Sequence, residues 1–226
     1  MPLHPAEHDR KYGALDQVLR SHLGRLAHDP AALDAYLRHT WRSGPPWAIA
    51  VAEAQLREFA QHPPGRVRMR LGEFYEPPDL GLAEGEFGDF LLALADRLAE
   101  SLAQGPGSAE GPGPLPTPPL THWEWHARFP ELGQLLGGWF SQDTPDEFGD
   151  HATALGDYLD GTDGALVARL SGELHELLAL PLDESALTAA VATLGMEVAP
   201  PAPYSVGAWL EALAAVLHET ATPRPS

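Results

Sequence analysis

The chain has 226 residues and no cysteine, so it can bury one large or two smaller cores, without disulfides or thiolate metal sites. Fourteen Lys and Arg stand against 32 Asp and Glu, a net charge of −18, which lacks the clustered cations of a nucleic-acid binder and makes a basic protein the natural charged partner. The amino end, MPLHPAEHDRKYG, has no signal-peptide core, and no run reaches the ~18 apolar residues of a membrane span, so a cytoplasmic protein is expected.

In chain order, the apolar spacing predicts helices around Leu33 to Leu37, Trp47 to Phe59, Val67 to Leu71 and Phe87 to Leu98. Residues 104–120, beginning QGPGSAEGPGPLPTPP, are dominated by Gly and Pro, which predicts an extended linker. Beyond it, one helix is expected over 146–160, capped from Asp143 to Asp146, with Phe148, Leu155, Tyr158 and Leu159 as its apolar residues. Next comes a helix capped by Asp163 and ended by Pro181, with Leu166, Leu170, Leu174, Leu177 and Leu178 inward. Asp183 caps another, with Leu187, Val191 and Leu194 inward and Gly195 as its stop. Ser205 caps the last, whose stripe is Trp209, Leu210, Leu213, Val216 and Leu217. Gly137 and Gly138 read as a turn between two helices. No window alternates with the period of a strand, so the fold class is all-α.

The two halves look alike. Leu71-Gly72 with Pro77-Pro78 corresponds to Leu194-Gly195 with Pro200-Pro201, FLLALADRL (90–98) to WLEALAAVL (209–217), and LREFAQHP (56–63) to LHELLALP (174–181). These matches predict a tandem duplication: a diverged helical unit at 1–103, a linker at 104–120, a helical unit at 121–220 and a tail at 221–226. The charge is unequally shared. Residues 1–104 hold 11 basic and 15 acidic side chains, and residues 105–226 hold 3 and 17.

Catalytic patterns are few. His122 and His126 in THWEWH stand at i, i+4 as two zinc ligands on one helix face would, but Glu124 falls on the opposite face and no third ligand is obvious, although Asp150 and His151 exist. Nucleophile elbows and phosphate loops are absent, and paired carboxylates carry no information in so acidic a chain. No enzyme activity, cofactor or metal is expected.

FPELGQLLGGWFSQD (129–143), followed by LGMEVAPP and VGAWLEALAAVL, resembles the small helical immunity proteins of bacterial contact-dependent growth inhibition systems over about Phe129 to His218. The first unit is similar at LGEFYEPPDLGL, whereas VLRSHLGRLAHD takes the place of the signature. The resemblance implies a protein that neutralises a cognate toxin domain, often a nuclease, by direct binding in the producing cell. A nuclease cleft is basic, so Trp139 and Phe140 are expected to anchor the contact, with Asp143, Asp146, Glu147, Asp150, Asp157 and Asp160 around them. The competing reading makes the two aromatics core and the acids caps or solvated faces. A helical scaffold unrelated to toxins is the alternative function.

Overall fold

The computed structural model describes residues 5–23, 30–61, 82–108 and 117–221, and among them it contains eleven α-helices and no strand. The all-α class expected from the spacing is therefore what the chain adopts. Two compact units divide it, Met1–Pro114 with Thr222–Ser226, and Leu115–Ala221.

Unit one holds α1 (Pro5–Leu23), α2 (Pro30–Ser43), α3 (Trp47–Gln61) and α4 (Glu84–Gln104). Helix α3 lies against both α1 and α4, and α1 also meets α2. Tyr12, Leu15, Val18 and Leu19 recur at helical spacing and are buried, which makes α1 a structural helix although the sequence reading assigned none there. Leu33, Tyr36, Leu37 and Trp41 form the inner face of α2, and Leu91, Leu94, Leu98 and Leu102 that of α4. The Trp41 indole satisfies its buried N–H by donating to Ser101 Oγ at 3.1 Å. The expected linker starts later than its composition implies. Gln104 ends α4 and Gly105–Ser108 form a 3₁₀ turn, because the Gly105 N–H still reaches the Leu102 carbonyl of the preceding turn. The helix expected over Val67 to Leu71, the Leu71-Gly72 and Pro77-Pro78 repeat, the rest of the Gly- and Pro-rich run to residue 116, and the tail from 222 lie outside the described residues.

Unit two holds α5 (His122–Arg128), α6 (Pro130–Trp139), α7 (Thr144–Glu147), α8 (His151–Gly161), α9 (Gly164–Leu178), α10 (Glu184–Thr193) and α11 (Val206–Ala221). Thr121 and Glu124 form a capping box at the start of α5. Asp150, Asp163 and Asp183 each accept a backbone N–H at the starts of α8, α9 and α10, as side chains short enough to reach back do. Ser205 accepts from Ala208 N at 3.3 Å ahead of α11. Helix α9 is central, packed on α6 and α11, with Val167, Leu170, Leu174 and Leu177 in the core.

Four sequence expectations change in detail. The helix foreseen over 146–160 is two helices, because Gly149 takes φ 79° and Asp150 caps a fresh start. Gly137 and Gly138 belong to the last turn of α6 and make no interhelical turn. Leu166 and Val216, counted as inward, are each 41% exposed, being one step off their stripes. Gly195 does end its helix: its N–H donates to Ala192 O at 3.1 Å and the Met196 N–H to Val191 O at 3.0 Å, the double closure of a Schellman motif.

Gly195 has a second constraint. At φ 105°, a Cβ there would sit 2.7 Å from Gly137 Cα, whereas one on Gly137 would meet nothing nearer than Leu194 O at 3.6 Å. Phe140 O accepts from Glu197 N at 2.9 Å, so the end of α6 and the loop after α10 are in backbone contact. Gly195→Ala is therefore expected to destabilise unit two by about 1–3 kcal/mol, while Gly137→Ala should be neutral or stabilising by up to about 1 kcal/mol; chemical denaturation of both variants distinguishes the two glycines.

Phe129, the residue before α6, has no side chain able to cap, and the Glu131 and Leu132 N–H groups donate instead to Glu173 Oε2 from α9, both at 2.9 Å. Glu173 is fully buried and also accepts from Arg169 Nε at 3.0 Å. Burial pushes its carboxyl up to about 7, against the pull of the Leu132 N–H and Arg169. A carboxyl with a raised folded pKa stabilises fully below its unfolded value of 4.5 and loses that contribution as pH climbs through about 7. The thermal midpoint should accordingly fall between pH 4.5 and 7 by the equivalent of roughly 3 kcal/mol at most, and Glu173→Gln, compared by calorimetry across that range, should flatten this part of the profile.

Candidate partner-binding face

Unit two contains two basic residues among the described residues 117–221, Arg128 and Arg169, against 16 acidic ones. Both arginines are turned to internal work. Arg128 Nε donates to the buried Glu176 at 2.6 Å and its Nη1 to Thr117 O at 2.7 Å; Arg169 sits on Glu173. Burial raises the Glu176 carboxyl and Arg128 lowers it, so the pair holds a charge inside the unit. Between Arg128 and Arg169 the chain has no Lys or Arg. The exposed carboxylates of that interval therefore have no Lys or Arg partner within unit two.

The interval has a definite geometry. Asp150, Asp157 and Asp160, with Thr153, stand at i, i+7, i+10 and i+3 along the start and body of α8 and are all exposed, so they form one stripe. Ala154 and Tyr158 form the buried side of the same helix. Asp150 accepts from Thr153 N at 2.8 Å, and this backbone hydrogen bond holds its carboxyl below the usual range. Asp143, Asp146 and Glu147 are exposed on α7 and the residue before it.

The two aromatics part company. Phe140 is fully buried, edge-on to Trp209 at 5.0 Å and stacked on His151 at 5.5 Å, which makes it core and unavailable to a partner. Trp139 is half-buried: its ring meets Tyr158 edge-on at 5.0 Å, and its indole N–H donates to Asp157 Oδ2 at 2.9 Å. That bond ties the end of α6 to the acidic stripe of α8. Thr144, buried, adds a second tie by donating to Trp139 O at 2.7 Å and Ser141 O at 2.8 Å.

Two residues outside the sequence-based set join this region. Glu197, from the loop after α10, accepts from Gln142 N at 3.0 Å and is exposed, placing another carboxylate beside Asp143. Thr144 supplies the lock. Neither has a signal in linear sequence, since Glu197 reaches the face only through the Gly137–Gly195 contact.

The THWEWH histidines are engaged structurally. Their rings are 4.4 Å apart, His126 Nε2 lies 3.0 Å from Thr193 O, and Glu124 accepts from the Leu120 and Thr121 N–H groups. Among the described residues no three His, Asp or Glu side chains are grouped to hold a metal ion, and no helix is long and apolar enough to cross a membrane.

No curated protein and no solved structure matches the chain. Residues 128–217, from the internal Arg128 to the last buried leucine of α11, match the model of a family described as CdiI immunity protein. That segment is nearly all of unit two, so unit two is similar to the CdiI immunity proteins.

Proposed function

We propose that unit two neutralises a cognate toxin domain by binding it directly through the acidic face of α7 and α8, and that the toxin domain is basic, as a nuclease must be to hold phosphate. The match of unit two to the CdiI immunity protein family supports a role in toxin immunity. The observation that carries the finer reading is the interval from Arg128 to Arg169, which exposes Asp143, Asp146, Glu147, Asp150, Asp157 and Asp160 and supplies no Lys or Arg to neutralise them. Carboxylates with no Lys or Arg beside them repel one another and cost stability, so their concentration on one face fits a surface that meets positive charge.

In this reading Trp139 is the apolar contact. Its exposed part adjoins Asp157, whose carboxylate already orients the indole, so the aromatic is pre-positioned at the edge of the charge. Phe140 serves only as the core support beneath it. The protein acts by occupying its partner, without catalysis or cofactor.

Co-expression with the toxin encoded beside it tests the role: a protected cell and a complex on size exclusion are expected, and absence of both contradicts it. The face is tested by the charge reversals Asp146→Lys, Glu147→Lys and Asp150→Lys made together. Asp146 and Glu147 are exposed, and loss of the Asp150 cap should cost about 1 kcal/mol, so folding should be retained while the association rate falls by about tenfold or more at low salt. The deficit should shrink toward 0.5 M salt, where the Debye length is only a few Å; an association rate unaltered by the reversals would place the contact elsewhere.

A further inference from the structure

The family match covers unit two alone, yet unit one repeats two of its internal anchors. In unit two Arg128 pairs with Glu176 and lies over the Phe129 ring at 5.5 Å. In unit one Lys11 pairs with Glu58 at 2.8 Å and lies over the Tyr12 ring at 5.4 Å. Glu173 of α9 accepts from Leu132 N, and Gln55 of α3 accepts from Leu15 N at 2.9 Å. These correspondences run at constant register, 117 residues apart along α1 and 118 along α3.

The remaining helices follow. Leu33-x-x-Tyr36-Leu37 on α2 corresponds to Leu155-x-x-Tyr158-Leu159 on α8, and Phe87, Leu91, Leu94 and Leu98 on α4 to Val206, Leu210, Leu213 and Leu217 on α11. Buried positions coincide along α3 and α9: Ile49 with Val167, Leu56 with Leu174, Phe59 with Leu177. The packing pairs coincide as well, α1 on α3 as α6 on α9, α3 on α4 as α9 on α11, and α1 on α2 as α6 on α8. One difference in these helices has a cause. Helix α1 runs unbroken through Gly13 where unit two has Pro130 and a new helix start. A fresh start exposes two N–H donors and a positive dipole end, which suit the carboxylate of Glu173; an unbroken helix needs only the amide of Gln55.

The acidic stripe is not repeated. In the register of α2, the positions of Asp150, Thr153, Asp157 and Asp160 are His28, Ala31, Ala35 and Arg38. The interval that carries Asp143, Asp146 and Glu147 is five residues shorter in unit one and reads LGRLA, with no acid before Asp29, which stands at the position of His151. We infer that helices α1 to α4 are a second copy of the immunity-protein frame, in register with unit two, that has kept the frame and lost the acidic face, so that the chain holds one site for a basic toxin domain. The second clause rests on the proposed function; the first does not.

The full chain tests both. Gly13→Pro should raise amide exchange in α1 and in its contacts on α3 by about a hundredfold, with unit two peptides as internal reference. Adding Gln55→Glu recreates the Pro130 and Glu173 arrangement and should recover about tenfold of that loss; a double variant that exchanges as fast as Gly13→Pro alone overturns the shared frame. Calorimetric titration of the full chain with the basic toxin domain should give one toxin per chain, and two would overturn the single site. No binding at all would contradict the proposed function and the single site with it, while the exchange result still decides the frame.

Discussion

The carboxylate of Glu173 is the contact on which unit two depends. Helix α6 begins at Pro130 behind a phenylalanine that cannot cap it, so its exposed N–H groups must find an acceptor elsewhere, and α9 supplies one. Because that acceptor is fully buried and held by Arg169, the start of α6 is fixed against the central helix. The far end of α6 is fixed by backbone, where the Gly137–Gly195 approach and the Phe140 carbonyl lock it to the loop after α10. Between these two restraints α6 delivers Trp139 to α8. The charge on the outer surface follows from the same arrangement, since Arg128 and Arg169 are spent inside and leave the exposed acids unopposed.

Much of this is legible in the sequence. Asp163, Asp183 and Ser205 announce their helices because capping is local chemistry, and Gly195 announces a stop because a left-handed C-cap tolerates little else. The acidic run is visible as composition. What the sequence hides is tertiary. Phe140 and Trp139 are adjacent and equally apolar, and only the packing of Trp209 and His151 makes one core and the other partly exposed. Glu197 joins the face from 54 residues beyond Asp143 through a glycine contact that no spacing encodes. The break at Gly149 escapes notice because apolar residues continue at helical spacing on both sides of it.

The relation between the halves shows the same limit from the other direction. Aligned by composition, the segment VLRSHLGRLAHD stands against the signature of the second half and shares almost nothing with it. Aligned by contacts, KYGALDQVL stands against RFPELGQLL, with the cation, the ring and the buried leucines in place. Gly13 in place of Pro130 and Gln55 in place of Glu173 change together, and each looks like noise until the hydrogen bond that joins their surroundings is seen. On the inferred duplication, the frame is kept while the acids of the stripe give way to His28, Ala35 and Arg38.

The central claim is that the acidic face of α7 and α8 meets the toxin domain. Amide exchange of the full chain, measured with and without the bound toxin domain, tests it directly. Protection confined to residues 139–160 is the result predicted here, and protection on α10, α11 or unit one with 139–160 unaffected would contradict it.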